Sequence, residues 1–339
     1  MARTLGWDVG GAHVRAALAN DGRVVKIWQK PTPVGRDLTP LEEALEAILE
    51  DAGAVDRHTV TMTGETADSF SDRKEGVERL SQVLHTRLGD NLYLYAGRSG
   101  WITGRSIGDQ GEDIASASWH ASANLAAEAM EAALFIDMGS SNTDIVPIAE
   151  GSLRAAGYTE TERLVSGELV PQGYMRTPLM AVADTVPFGG RPTPVLAEGF
   201  ATMEDVQRLL GSFEVDEDRD ADEALEAIEA SRARLARMIG MDVGDASDTA
   251  WMSLAAAFAE AQLRHIHDAV LLVLSRCDVS KDAPIVVAGV GRPVLRRLAA
   301  RLERGIVDFG DLMDCSAELR DAVCLAAPAV AVTLLGDKA

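Results

Sequence analysis

Cysteine is scarce in this chain: three in 339 residues, Cys277, Cys315 and Cys324. None stands in a Cys-x-x-Cys pair. That argues against zinc and dithiol frameworks and leaves buried, reduced thiols as the expectation. Long apolar runs are missing as well. No stretch reaches the roughly 20 apolar residues that cross a bilayer, and Met-Ala-Arg-Thr leads straight into a strand-like segment. Neither an anchor nor a signal peptide is therefore expected, and the expected compartment is the cytoplasm. Basic residues are outnumbered, with 32 Lys and Arg against 53 Asp and Glu. The formal net charge of −21 argues against nucleic acid or an anionic membrane surface as partner. With 47% hydrophobic and 25% charged residues the composition is that of a globular protein, long enough for two lobes.

What is present is a repeated pattern. Leu5-Gly6-Trp7-Asp8-Val9-Gly10-Gly11-Ala12-His13-Val14-Arg15 runs apolar to an Asp, skips to Gly, passes small residues and returns to an apolar run. Phe135-Ile136-Asp137-Met138-Gly139-Ser140-Ser141-Asn142-Thr143-Asp144 does the same. Apolar, tight turn, apolar predicts a β-hairpin. Glycine permits the positive backbone angles of such a turn, and small neighbours leave N–H groups uncovered for an anion. Two copies predict a duplicated domain with a phosphate group gripped between them. In so acidic a chain that site needs backbone N–H groups, a few Arg or Lys, and Mg²⁺ to offset the global field.

Strand and helix patterns alternate through the first part, so the expected fold class is α/β. The first lobe is expected over 1–132 and the second over 133–320, with a C-terminal helix at about 321–339 packed back on the first. One helix is predicted from Asp113 to Glu131 and one from Asp321 to Leu335. The Pro- and Gly-rich stretch from Arg163 to Gly199 reads as irregular binding loops, and the acidic tract from Glu214 to Glu229 as a solvated face or insertion. Ile285 to Ala288 predicts a strand, followed by a third glycine turn at Gly289-Val290-Gly291.

The order of the three turns resembles the phosphate-one, phosphate-two and adenosine motifs of the actin-like ATPase superfamily. That resemblance implies a ribonuclease H-like, duplicated two-lobe fold. A closer resemblance lies in Gly6 to His13, Met62-Thr63-Gly64-Glu65-Thr66-Ala67-Asp68, Ser116-Ala117-Ser118-Trp119-His120 to Asn124, Ala197 to Val206 and Ser231 to Gly240. These segments are similar to the hydantoinase/oxoprolinase-related proteins of tetrahydromethanopterin-linked one-carbon metabolism. The resemblance implies a transferase of methanofuran biosynthesis in a methylotroph. Such an enzyme joins a furfuryl-type (aminomethylfuran methyl) diphosphate to the phenol of a tyramine- or tyrosine-type acceptor and releases pyrophosphate.

Site expectations follow from the residues. Asp8 and Asp137 would hold Mg²⁺, and with His13 and His120 they form the catalytic set. Gly10, Gly11, Gly139, Ser140, Ser141, Asn142, Gly289 and Gly291 would cradle the diphosphate. Arg98, Arg105, Glu65 and Arg176 would contact substrate. ATP is not required in this scheme. The expected partners are the small-molecule diphosphate and the phenolic acceptor, with no nucleic acid and no membrane, and a homodimer is left open. The alternatives are an ATP-dependent small-molecule kinase or oxoprolinase-like hydrolase, and a non-catalytic nucleotide or metabolite sensor.

Overall fold

Both glycine-tipped hairpins form, and each belongs to its own six-stranded sheet. A computed structural model describes residues 2–34, 37–103, 111–212 and 221–338. The chain opens with an antiparallel meander, β1 (Arg3–Val9), β2 (His13–Asn20) and β3 (Arg23–Pro31). It then alternates α1 (Thr39–Ala52), β4 (Arg57–Met62), α2 (Arg73–Leu88), β5 (Leu92–Tyr95) and β6 (Trp101–Thr103). The six strands form one sheet in the order β3-β2-β1-β4-β5-β6. β1, β4 and β5 run parallel and the other neighbours antiparallel.

After α3 (Gly111–Ile114) and α4 (Ser118–Ala129) come β7 (Ala132–Met138), β8 (Thr143–Ala149), β9 (Ser152–Leu153), α5 (Glu160–Ser166) and β10 (Leu169–Val170). Next are β11 (Thr185–Phe188), β12 (Arg191–Pro194), α6 (Met203–Leu209), α7 (Ala221–Arg237) and α8 (Asp248–Leu274). The chain finishes with β13 (Ile285–Ala288), α9 (Arg292–Arg301), β14 (Ile306–Asp308), α10 (Arg320–Leu325) and α11 (Ala327–Gly336). The second sheet has the order β10-β8-β7-β13-β14 with β9 on β8, and β11 and β12 pair separately. Two helix-flanked sheets, each with a glycine hairpin, make this an α/β fold.

Two compact units divide the chain: residues 1–135, 148–154 and 307–339 form one, residues 136–147 and 155–306 the other. In the first, β1 is buried on both faces, which is why it reads as a nearly continuous apolar run. Leu5, Trp7 and Val9 join a core with Leu41, Leu45 and Ile48 of α1 and Leu80 and Leu84 of α2. The α1 residues recur at helical spacing and so share one face. α11 packs on β1 and β2, where Thr333 Oγ1 lies 2.7 Å from the Ala329 carbonyl of its own helix and 3.1 Å from the Ala17 carbonyl of β2. Gly6 is required for that approach, since a Cβ there would stand 2.1 Å from Thr333 Oγ1.

Several elements depart from expectation. The helix predicted over Asp113 to Glu131 is broken, because Ser116 adopts a left-handed φ of 53° between α3 and α4. The final helix is two, α10 and α11, bent by 104°. Pro328 lies in the first turn of α11, and a proline disfavours continuing a helix through the residue before it. The stretch from Arg163 to Gly199 is not wholly irregular, since it contains β10 and the β11–β12 hairpin. Of the acidic tract, residues 214–220 lie outside the described residues and 221–229 are helical in α7. Among the described residues no single helix is long and apolar enough to cross a membrane.

Candidate functional site

Both hairpins close with the same bond. Gly10 N–H donates to the His13 carbonyl at 3.0 Å, and Gly139 N–H donates to the Asn142 carbonyl at 2.9 Å. Asp8 and Asp137, Gly10 and Gly139, and His13 and Asn142 are therefore structural equivalents. The turn glycines do not use left-handed backbone, which corrects the reason given for them above: Gly10, Gly11 and Gly139 all lack a positive φ. Close approach explains Gly10, whose Cβ would meet His13 O at 3.0 Å, whereas nothing lies within 4 Å of a Cβ on Gly11. Among the described residues, the N–H groups of Gly11, Ala12, Ser140 and Ser141 have no backbone acceptor. Such adjacent uncommitted donors are what an anion-binding turn offers.

The second hairpin is clamped from behind. Tyr174 N–H donates to Gly139 O at 2.9 Å, and Met175 and Arg176 N–H donate to Ser140 O at 3.1 and 2.8 Å. The tip's carbonyls are thereby occupied while its N–H groups are not. Gly173 permits the clamp, since a Cβ there would lie 2.4 Å from Ser141 N. The third glycine turn lies on the same strand end. Gly291 N–H donates to Met138 O at 2.9 Å, and a Cβ on Gly289 (φ 82°) would stand 2.3 Å from both Asp137 Oδ1 and Met138 O. Asp137, Gly139, Ser140, Ser141, Asn142, Gly289, Gly291 and the backbone of Arg176 are thus brought together in this unit. The Arg176 side chain is exposed.

In the first unit Asp8 is 5% exposed, with Arg15 Nη1 at 3.6 Å. Burial pushes its carboxyl above the ordinary range, and Arg15 works against that shift. The second hairpin has Asp144 where the first has Arg15, and there buried Arg163 supplies the cation, 2.7 Å from Asp144 Oδ1. Sequence inspection passed over Arg163 because it sits on α5, away from any glycine motif. Glu65 follows the end of β4 beside the first turn, where Gly64 passes so close that its Cβ would be 3.2 Å from Gly10 O. Glu65 is 1% exposed. Its Oε1 accepts from Ser116 Oγ at 2.9 Å, and Oε2 has no partner among the described residues. Burial raises this carboxyl as well.

His13, half-buried, begins β2 at the hairpin tip. His120 lies elsewhere in the unit, on α4, with Nδ1 2.8 Å from the Tyr95 hydroxyl. Gly97 approaches its ring, and Arg98, exposed, follows Gly97 in the same turn. Arg105 lies outside the described residues. Among the described residues no group of three or more His, Cys, Asp or Glu could hold a metal ion by itself.

Residues 56–309 match the family Hydantoinase/oxoprolinase. The chain belongs to the hydantoinase/oxoprolinase family. The stretch shared with the hydantoinase/oxoprolinase family takes in the second hairpin and the third turn, while the first hairpin precedes it. A curated relative, the (4-{4-[2-(gamma-L-glutamylamino)ethyl]phenoxymethyl}furan-2-yl)methanamine synthase of Methanocaldococcus jannaschii, is 28% identical over 163 residues. The match covers 48% of this chain and 48% of that protein, about half the length of each. Among solved structures, a ROK family glucokinase from Streptomyces griseus in complex with glucose and AMPPNP aligns over 98% of both chains, with a TM-score of 0.49 and 16% identity. Component A of the (R)-2-hydroxyglutaryl-CoA dehydratase of Acidaminococcus fermentans aligns over 100% of this chain and 98% of its own, with a TM-score of 0.45 and 14% identity.

Proposed function

We propose that this hydantoinase/oxoprolinase family member is a transferase of methanofuran biosynthesis. It condenses an aminomethylfuran methyl diphosphate with the phenol of a tyramine- or tyrosine-type acceptor. The C–O bond to diphosphate breaks, an aryl ether C–O bond forms, the phenol proton goes to a base, and pyrophosphate leaves. The likeness to the archaeal synthase supports the substrate class. The observation that carries the chemistry is the hairpin turn made twice, each with adjacent N–H groups that have no backbone acceptor among the described residues. A furfuryl carbon releases diphosphate readily because its ring delocalises the developing cation, provided the leaving charge is neutralised. Backbone donors do that without reorganising.

Mg²⁺ takes one or two carboxylates with water and phosphate oxygens as its remaining ligands, and each unit would offer it one, Asp8 in the first and Asp137 in the second. Bound there, the ion would add charge neutralisation at the diphosphate. A phenol of pKa about 10 needs a base at neutral pH, a role for His13 or His120. Arg98, Arg105, Arg176 and Glu65 are assigned to substrate contacts.

Purified protein given the furfuryl diphosphate, a tyramine-type acceptor and Mg²⁺, without ATP, is expected to form pyrophosphate and ether product together. If neither appears, the proposal fails. The family match favours one second reading, an ATP-dependent oxoprolinase-like hydrolase or small-molecule kinase. Phosphate release or transfer from ATP on adding a metabolite would select it.

A further inference from the structure

The bare N–H groups at the tip of the second hairpin are the outer ends of two hydrogen-bonded chains of amides that begin on helices α8 and α6. We propose that Gln262 of α8 is a positioning residue of this turn. Through two intervening peptide planes, its buried amide aims the Ser140 N–H at an anion that Gln262 never touches.

A trans peptide is planar, with its C=O and the following N–H pointing in opposite directions, so holding one end orients the other. Gln262 is buried, and its Nε2 donates to Gly173 O at 2.8 Å. A carbonyl oxygen only accepts, so the amide atom facing it is the nitrogen. The other end of that peptide is Tyr174 N–H, which donates to Gly139 O at 2.9 Å. The other end of the Gly139 peptide is Ser140 N–H, which has no backbone acceptor among the described residues. Donor and acceptor are thus fixed at every link. The neighbouring group is aimed in the same way: Glu204 N–H of α6 donates to Met175 O at 2.9 Å, Arg176 N–H donates to Ser140 O at 2.8 Å, and the chain ends at Ser141 N–H. Each bond polarises the next, which makes the terminal N–H a stronger donor than an isolated amide.

The links are inside and the ends are not. Gly173 and Tyr174 are buried, Ser140 is half-buried and Ser141 is exposed. Both chains start from one packed body, since Met203 and Val206 of α6 share a core with Leu254 and Phe258 of α8. Of the two starting donors only Gln262 is a side chain. Its Oε1 is buried with no partner among the described residues, a cost that an apolar side chain of the same length would avoid. Gly173 O has a second neighbour, Thr177 Oγ1 at 3.2 Å, so loss of the amide would not leave it bare. Thr177 braces the segment from within, also accepting from Gly173 N–H at 2.8 Å, and does not tie it to α8. Stability therefore gives little reason for a polar residue at 262, whereas the aim of the turn does. Only the identity of the anion rests on the transferase proposal.

Gln262→Met in the full-length protein removes the donor and keeps the length of the side chain. Its Tm should stay within about 2 °C of the parent, while binding of inorganic pyrophosphate with Mg²⁺, by calorimetry, weakens about threefold to tenfold. Amide exchange followed by NMR should accelerate at Tyr174 but not at Ile145, which bonds Glu168 O at 2.8 Å elsewhere in the unit. A merely structural role would lower Tm and speed both amides together. In the parent, saturating pyrophosphate with Mg²⁺ should move the Tyr174 amide proton downfield, because an anion on Ser140 N–H strengthens the whole chain; this measurement needs no variant. Unchanged affinity in Gln262→Met, equal acceleration of both amides, or an unmoved Tyr174 resonance in the parent overturns the proposal. Failure of the transferase assay with these results intact would sink only the assigned reaction.

Discussion

Gly289→Ala should be the most damaging of the single-methyl changes at Gly139, Gly289 and Gly291, and its cost can be worked from the structure. The residue has a φ of 82°, a conformation that costs an alanine about 1 kcal/mol or more. The added Cβ would also stand 2.3 Å from Asp137 Oδ1 and 2.3 Å from Met138 O, with Met138 C at 2.7 Å. A side-chain tip can move aside, but a carbonyl in a strand cannot do so without dragging β7. Overpacking of that kind adds roughly 1–3 kcal/mol, for a total of about 2–4 kcal/mol. In a protein of this size that is on the order of 3–6 °C in Tm. Gly291→Ala has no left-handed φ but meets Met138 from its Cβ to its Sδ, so a cost of about 1–3 kcal/mol from overpacking alone is expected. Gly139→Ala meets its nearest atoms at 3.6 and 3.7 Å, ordinary contact, and should be near neutral. Thermal and urea unfolding of the three variants give the order directly. If Gly289→Ala is as stable as Gly139→Ala, the close approach of the third turn to Asp137 is wrong. Mg²⁺-pyrophosphate binding measured in parallel should fall most in Gly289→Ala, because the displaced atom is a proposed ligand.

Three further outcomes are expected. Burial holds Glu65 above the ordinary glutamate value of 4.5, so the folded state binds its proton more tightly than the unfolded state and stability erodes as pH rises above about 4.5. Glu65→Gln should therefore gain on the parent in Tm at neutral pH and lose that gain below about pH 4.5, and a difference independent of pH would refute this. His58 is depressed from 6.5 to about 4 by burial, so its contribution is present above pH 6.5 and is lost as pH falls toward 4. The loss amounts to about 3 kcal/mol, and denaturant midpoints of His58→Gln should lack that component. Gly11→Ala places a Cβ in open space, so Tm should hold while pyrophosphate binding, by calorimetry, weakens about tenfold through crowding of the bare backbone; unchanged binding would remove Gly11 from the cradle.

The hairpins were legible because an Asp, a spaced Gly and small residues between apolar runs leave the chain few alternatives. The third turn was legible for the same local reason. What escaped were consequences of tertiary contact. Ser116 carries no local breaker, yet it takes a left-handed φ, bonds Glu65 and sits beside a bridge from Met62 to Ala115. The Gly10 and Gly139 turns looked like positive-φ positions, whereas in Gly10 what matters is room beside a carbonyl across the turn. Tyr95 and His120 meet from a strand and a helix, and nothing in their separate neighbourhoods announces the pairing. Pro328 marks the corner before α11, a local signal that the reading of Asp321 to Leu335 as one helix did not use.

The covering of β1 by α11 has a consequence for synthesis. Thr333 reaches the Ala17 carbonyl across 316 positions of sequence. On the ribosome, residues 155–306 of the second unit are all made before α11 exists, while one face of the first sheet waits bare. A long-lived apolar β surface on a nascent chain is what holding chaperones capture and what edge pairing turns into aggregates. The yield of folded protein should therefore depend on how soon the codons for α11 are read after those of the first sheet, more than on the stability of the finished fold.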